Sequence, residues 1–223
     1  ERNEIFLKYL PKPDYLDFSL PNTHVAVVTN DGSELTQQLV QLLEEKGNKV
    51  VVLNLDQINN TNVKSNSISL SSNTDEGIKE GIGKIKEQFG EIGTFIHLHP
   101  HFEFQNSNFT QHFNIEREIL KSVFLLAKHL QEPLNDLGKK MRSNFMTITR
   151  LDGQSGLGKR NNTSIVGGGL NGLTKCLNLE WSQVYCRAVD IQPELDVKEI
   201  ANHIISELHD PNRSIIETAI SKD

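Results

Sequence analysis

Short apolar runs rich in β-branched residues alternate along this chain with longer segments whose apolar residues recur at helical spacing. The first pair is the run His24–Thr29 and the leucine-striped segment between Ser33 and Gly47. A buried strand gives such a run, and an amphipathic helix gives such spacing. Because Ser33 suits a helix N-cap and Gly47 a helix C-terminus, this stretch predicts a strand, a tight turn and a helix.

The same alternation continues along the rest of the chain. Further strands are predicted at 49–53, 67–70, 94–98, 144–149, 186–191 and 214–218, and further helices at 75–89, 114–130, 164–181 and 196–208. Alternating strands and helices form right-handed βαβ units around a mostly parallel sheet. The pattern therefore predicts an α/β fold with a doubly wound, Rossmann-like sheet and helices on both faces.

The first 22 residues differ from the remainder. They contain Pro11, Pro13 and Pro21, which argue against a continuous helix. We expect residues 1–22 to form an extended lead-in on the surface, and residues 23–223 to form a single Rossmann-like domain. Because the first residue is not Met, we also expect the chain to have been cut from a longer protein.

Composition narrows the classes of partner. The net charge is −6 and the basic residues are scattered, which argues against a nucleic-acid partner. No apolar run approaches the roughly 20 residues that span a bilayer, and no basic leader precedes one, so we expect no membrane partner and no secretory signal. Cys176 and Cys186 form no metal or redox motif, which favours the reducing cytoplasm.

The turn after the first strand is where a doubly wound sheet of this kind binds the phosphates of a dinucleotide. A working turn needs several glycines, but the segment Thr29–Thr36 contains only Gly32. Asp31 and Glu34 also place negative charge beside any incoming phosphate. We therefore expect cofactor binding to be vestigial at best. The residues concerned are Thr29, Asn30, Asp31, Gly32, Asn54 and His97.

Three histidines alternate at the end of the predicted fourth strand. His97, His99 and His101 could bind zinc if they shared one strand face. No Asp, Glu or Cys completes a clear ligand set, and Pro100 is expected to end the strand. We therefore expect structural histidines and no metal site.

The segment Ile165–Trp181 reads IVGGGLNGLTKCLNLEW. Its Gly172–Lys175 string and the residues up to Trp181 resemble the active-site helix of short-chain dehydrogenases, and most of all the ketoreductase regions of modular polyketide and polyunsaturated fatty acid synthases. The same relatives are matched at Phe95–Leu98, Cys186–Ile191 and Glu207–Asn212. The resemblance follows that family's order of elements from about residue 24 to residue 217.

The resemblance implies where a catalytic site would lie. In that family a Tyr and a Lys four residues later perform proton transfer, the Lys holds the ribose, and an upstream Ser orients the carbonyl. The Tyr position falls on Thr163, the Lys position on Gly167, and the Ser position near Arg150–Gly153, with Ser155 close by. An aliphatic hydroxyl does not act as an acid near neutral pH as a phenol can, and glycine has no side chain. We therefore expect no catalytic residues.

Ketoreductase regions of such synthases contain a catalytic half and a related structural half, and the resemblance implies the structural one. The first hypothesis is a non-catalytic subdomain with no cofactor, whose partners are the catalytic ketoreductase half and other domains of the synthase. The alternative is an active NAD(P)-dependent short-chain oxidoreductase that binds NADPH at an atypical site, with His97 or His99 as the acid. A third hypothesis is an interaction module that forms a homodimer through helices 114–130 and 164–181.

Overall fold

The computed structural model describes residues 6–58, 63–102, 109–158 and 165–222. Within them, seven strands alternate with five helices. In chain order these are β1 (Val25–Thr29), α1 (Glu34–Glu45), β2 (Lys49–Asn54), β3 (Ser67–Ser69), α2 (Asp75–Phe89), β4 (Ile92–Leu98), α3 (Phe109–Gly138), β5 (Asn144–Thr149), α4 (Ile165–Glu180), β6 (Tyr185–Ile191), α5 (Val197–His209) and β7 (Glu217–Ile220).

The strands form one sheet in the order β3-β2-β1-β4-β5-β6-β7, and every neighbouring pair is parallel. The chain builds outward from β1 to β3 and then returns to place β4 on the other side of β1. This return makes a switch point between β1 and β4, where sheets of this kind open a crevice at their carboxyl edge. The predicted doubly wound α/β fold is confirmed.

Each face of the sheet carries its own apolar core. Helices α1 and α5 cover one face through residues such as Leu39 and Ile204, and helices α2, α3 and α4 cover the other through residues such as Ile82, Val123 and Leu170. Strands buried between two layers must be apolar on both sides. This explains the continuous apolar runs that the sequence shows at β1 and β2.

Side-chain hydrogen bonds cap the first turns of three helices. Ser33 accepts from the second backbone N–H of α1, Thr74 caps α2 through Gly77, and Asp196 caps α5. These side chains satisfy N–H groups that have no partner inside the helix. The N-cap prediction at Ser33 is confirmed. Gly47 follows the end of α1 with φ of 83°, a conformation that glycine adopts without strain.

Two elements differ from their predicted ranges. Helix α3 is longer than the predicted 114–130 and passes through Pro133, because the buried residues Leu130, Leu134 and Leu137 continue its apolar stripe. The last strand is Glu217–Ile220 and not 214–218. Asn212 accepts from the backbone and hydroxyl of Ser214 and so holds a turn where the strand was predicted to begin.

The described part of the lead-in, residues 6–22, contains no helix or strand. Its first hydrogen bond to the body is at Asp17, whose N–H donates to the carbonyl of His209 at 2.7 Å. The Phe18 ring lies 4.5 Å from the His209 ring. The lead-in is therefore held at its later end. None of the helices in the described ranges is both long and apolar enough to cross a membrane.

Candidate functional site

The carboxyl ends of β1, β2, β4 and β5 meet at one edge of the sheet, so residues far apart in sequence lie together there. Thr29 ends β1, Asn54 ends β2 and His97 lies one residue before the end of β4. Asn30 and Asp31 follow β1 directly. The fold thus brings together the side chains that the sequence indicated for a vestigial cofactor site, and their contacts show how each is used.

The first turn is filled by the side chain of Asp31, which is completely buried. Its carboxylate accepts from the N–H of Ser33 at 3.0 Å, the hydroxyl of Ser33 at 2.6 Å and the hydroxyl of Thr36 at 2.7 Å. The guanidinium of Arg150, which follows β5, forms an ion pair with the same carboxylate. The sequence suggested that Asp31 presents an unpaired negative charge to an incoming phosphate. In the structure this charge is paired with Arg150. Sequence reasoning did not find Arg150 in this role.

Polar side chains connect the carboxyl ends of β1, β2 and β3. The Asn30 amide donates to the side-chain oxygen of Asn54 at 3.0 Å, and the Asn54 amide donates to the Ser69 hydroxyl at 3.3 Å. The Asn30 oxygen accepts from the N–H of Gly32 at 3.0 Å. Polar groups at the carboxyl ends of β1, β2 and β3 therefore bond to each other along this edge of the sheet.

Four buried side chains form a hydrogen-bonded line from β1 to α3. Thr29 Oγ1 lies 2.9 Å from His97 Nδ1, His97 Nε2 lies 3.4 Å from His99 Nδ1, and His99 Nε2 lies 3.1 Å from Glu116 Oε1. Burial, and then the charge of His99, holds the pKa of His97 well below its usual value. Each histidine uses both ring nitrogens along the line and none converges on a common point. Among the described residues, no three His, Cys, Asp or Glu side chains are placed to hold a metal ion.

Sequence reasoning missed Glu116, which is fully buried. One of its carboxylate oxygens has no hydrogen-bond partner among the residues that the structure describes. The sequence does carry a signal for a buried carboxylate at this position. Glu116 lies three residues before Ile119 and seven before Val123, so it falls on the apolar stripe of α3. A carboxylate on a core-facing stripe indicates a buried polar contact.

The positions implied by the family resemblance lie near the end of β5 and the start of α4. Thr163, at the Tyr position, is outside the described residues. Gly167, at the Lys position, is buried, and a Cβ added there would lie 2.6 Å from the Cδ2 atom of Leu151. Leu151 itself falls in the range where the Ser was expected. The structure thus brings two of the implied positions together in an apolar contact.

Ser155, the other candidate for the Ser position, is part of a turn organised by Asp190. Its N–H donates to Asp190 Oδ2 at 2.9 Å, and its φ is 55°. Asp190 Oδ1 accepts from the N–H of Leu151 at 2.7 Å and from the hydroxyl of Thr149 at 3.1 Å. Burial raises the pKa of Asp190, although the Leu151 N–H acts in the opposite direction. The carboxylate at the end of β6 therefore holds the segment that follows β5.

A second carboxylate acts on the same segment. Burial alone would raise the pKa of Asp152, but backbone N–H groups of Gly156, Gln154 and Gly158 donate to it and hold its pKa below the ordinary value. Neither Asp152 nor Asp190 was indicated by sequence reasoning. The carboxylates of Asp152 and Asp190 therefore hold the backbone of the loop that follows β5.

A cavity of about 200 Å³ lies at the opposite edge of the sheet, where β6 begins. Trp181, Tyr185, Cys186 and Arg213 are among the residues that line it. Burial raises the pKa of the Cys186 thiol to about 12, so this thiol is not a nucleophile near neutral pH. The cavity is separate from the carboxyl-edge crevice.

Comparison with solved structures defines the class of fold as that of the short-chain dehydrogenase/reductases. A short-chain dehydrogenase/reductase from Brucella melitensis matches with a TM-score of 0.66 and 17% identity, covering 91% of this chain and 96% of that one. The NADPH-dependent 3-quinuclidinone reductase from Rhodotorula rubra matches with a TM-score of 0.69 and 14% identity, covering 96% of each chain. Likeness at such identities concerns the fold alone.

Among curated proteins, the chain is similar to one of the subunits of a polyunsaturated fatty acid synthase from Thraustochytrium sp. The two are 27% identical over 207 residues, which are 88% of this chain but only 7% of the length of the relative. No family model matches the chain. The resemblance inferred from the sequence, to a short-chain-dehydrogenase-like region of such a synthase, is confirmed.

Proposed function

We propose that this chain is a non-catalytic structural subdomain that supports a ketoreductase half in a polyketide or fatty-acid synthase. The observation that carries the proposal is the contact between Gly167 and Leu151. A lysine at position 167 would have to displace the buried Leu151 side chain, since even a Cβ would come within 2.6 Å of it. Packing therefore occupies the place where proton-transfer chemistry needs a cation beside a phenol.

The crevice gives independent support. A dinucleotide would have to compete with the ion pair of Asp31 and Arg150, with the amide bonds of Asn30 and Asn54, and with the buried line that includes His97. Displacing buried, paired polar groups costs the free energy of leaving them unpaired. We therefore propose that the chain works without a nicotinamide cofactor.

The test is activity and binding of the purified chain. We expect no heat on calorimetric titration with NADPH or NADH, and no oxidation of NADPH in the presence of a simple ketone or a β-ketoacyl thioester. Turnover that a single substitution abolishes would contradict the proposal.

The alternative function is an NADPH-dependent oxidoreductase with an atypical acid. The observation that favours it is the line from His97 through His99 to Glu116, which lies at the correct edge of the sheet and could carry a proton. Its discriminating experiment uses His97→Asn and His99→Asn, with His203→Asn on α5 as the matched control. NADPH-dependent turnover that the first two substitutions remove and the third preserves would establish this alternative.

We propose that the partners are the catalytic ketoreductase half and other domains of the same synthase. Support comes from the similarity to a much longer synthase chain, in which the matching region is 7% of the length. In this proposal residues 23–223 act as one domain, in the cytoplasm, where both cysteines stay free thiols as they are here. Co-expression with the catalytic half of the parent protein should give a complex that co-purifies. Independent elution of the two pieces would contradict the proposed pairing.

A homodimer through α3 and α4 is supported by their outer surface. Phe124 is 56% exposed and Leu179 is 81% exposed. Gly168 and Gly172 lie on the same side, and a Cβ at either would meet no atom within 4 Å. Glycine inside a helix costs about 0.5–1 kcal/mol relative to alanine, and contacts within the described chain do not account for these two. We propose that a second copy approaches closely here.

Light scattering tests the homodimer. We expect a dimer for the purified chain and a monomer for Gly168→Leu, whose side chain would hold the two helices apart. Asn202→Leu, at an exposed position of α5 on the opposite face of the sheet, is the control for adding bulk away from this surface. A wild-type chain that stays monomeric at micromolar concentration would contradict the proposal.

A further inference from the structure

The carboxylate of Asp31 has the surroundings of a bound anion. Two hydroxyls, one backbone N–H at the start of α1 and one guanidinium all donate to it, from Ser33, Thr36 and Arg150. Helix N-termini bind phosphate through the same kinds of donor, because free N–H groups and the helix dipole favour negative charge. The site thus already holds an anion, which is supplied by the chain itself.

We infer that Asp31 is an internal substitute for a phosphate-class anion, and that the donors around it form an intact anion site closed by this one carboxylate. Removal of the carboxylate takes the counter-ion from Arg150, whose side chain is only 12% exposed, and leaves the guanidinium beside the hydroxyl of Ser33. A nearly buried cation without a counter-ion attracts a small anion strongly. Glu34, the other acidic residue of this turn, is exposed and does not fill the same place.

The inference goes beyond the proposed function and does not depend on it. Wild-type turnover with NADPH would end the proposed function without changing what surrounds Asp31. Conversely, a chain without activity could still lack a usable anion site. The experiment on Asp31 therefore fails or succeeds separately from the activity assay.

The test is thermal unfolding of Asp31→Ala in inorganic phosphate and in sodium chloride of equal ionic strength. Phosphate stabilises many proteins by exclusion from their surface, so the wild-type chain sets the baseline. We expect Asp31→Ala to unfold at a lower temperature than wild type in chloride. We expect phosphate at ten times its dissociation constant to raise the Tm of the variant by about 3 °C more than that of wild type.

Two variants sharpen this result. Asp31→Ala combined with Arg150→Gln should lose the extra response to phosphate, because the cation that holds the anion is gone. Glu217→Ala also removes a carboxylate from an ion pair, but its partner Lys175 is 48% exposed, so phosphate should raise the Tm of this variant no more than that of wild type.

Three outcomes would overturn the inference. One is a folded Asp31→Ala whose Tm rises in phosphate by no more than that of wild type. Another is an equally large extra rise of Tm in Glu217→Ala. The third covers variants that do not fold: if Asp31→Ala and Asp31→Gly both stay unfolded at high phosphate, then phosphate cannot replace the carboxylate.

Discussion

Arg187 lies on β6 with its side chain completely buried. Its guanidinium forms ion pairs with Glu207 and Asp210 and donates to the Tyr185 hydroxyl and the Asn212 carbonyl. Burial raises the pKa of Glu207, while the charge of Arg187 acts in the opposite direction. One buried cation therefore pairs with two carboxylates in the interior and ties β6 to the segment that leads to β7.

Removing this cation should be among the most damaging single changes. We expect Arg187→Met to lower the free energy of unfolding by about 3–5 kcal/mol, because Glu207 and Asp210 lose their buried counter-charge. The control is Lys175→Met, whose pair with Glu217 is partly exposed and should be worth less than about 1 kcal/mol. Urea unfolding followed by circular dichroism measures both. Equal losses in the two variants would show that burial does not set the value of the Arg187 pairs.

His97 makes the stability of the chain depend on pH. Its pKa lies well below the usual value because of burial and then the charge of His99. Below about pH 6.5 the unfolded chain binds a proton here that the folded chain does not. The free energy of unfolding therefore falls as pH drops below about 6.5, by about 1.4 kcal/mol per pH unit for this residue, until the folded pKa is reached.

The measurement is the urea midpoint of unfolding between pH 5 and 7. We expect His97→Asn to show a shallower dependence on pH than wild type, with His203→Asn as the control for loss of a histidine. The slope is the informative quantity, because the substitution also disturbs the bonds to Thr29 and His99 at every pH. His209, whose pKa burial also lowers, keeps some slope in all variants. A slope unchanged by His97→Asn would contradict the prediction.

Helix α4 carries glycines in two different environments. In Gly167→Ala the new Cβ would lie 2.6 Å from Leu151, so we expect the free energy of unfolding to fall by about 1–3 kcal/mol. In Gly172→Ala the new Cβ meets nothing within 4 Å, so we expect a gain of about 0.5–1 kcal/mol. Chemical unfolding below the concentration of any self-association compares the pair. A loss at Gly172 as large as that at Gly167 would contradict the assignment of the two environments.

The elements show what a sequence can predict. Helix α2 has its predicted range of 75–89 because its signal, an isoleucine stripe, is local. The C-terminal end of α3 could not be predicted, since Pro133 indicates a break and only packing on the sheet outweighs it. The site was least predictable, because its main contact joins Asp31 to Arg150 across 119 positions of sequence. No local pattern carries such a pairing.

At the scale of the whole molecule, polar groups at the carboxyl edge are used to join strands. Asp31 with Arg150 links β1 to β5, Asn30 with Asn54 links β1 to β2, and Asp190 links β6 to the loop after β5. In a working reductase these positions would have to remain available to a ligand. The same fold can therefore keep its sheet while polar groups at its carboxyl edge connect the strands, as the proposed supporting role requires.

The lead-in should divide into a dispensable part and an anchoring part. Residues 6–12 are exposed, so we expect deletion of residues 1–12 to leave the Tm unchanged. Deletion of residues 1–20 also removes Asp17 and Phe18, which cover His209. We then expect a lower Tm and a pKa of His209 that rises toward its usual value, since burial is the largest cause of its depression. The loss of the hydrogen bond to the Asp17 carbonyl, which raises this pKa, acts in the opposite direction. Proton NMR of the His209 ring measures this. A pKa that does not move on the longer deletion would mean that the body of the domain, and not the lead-in, buries this ring.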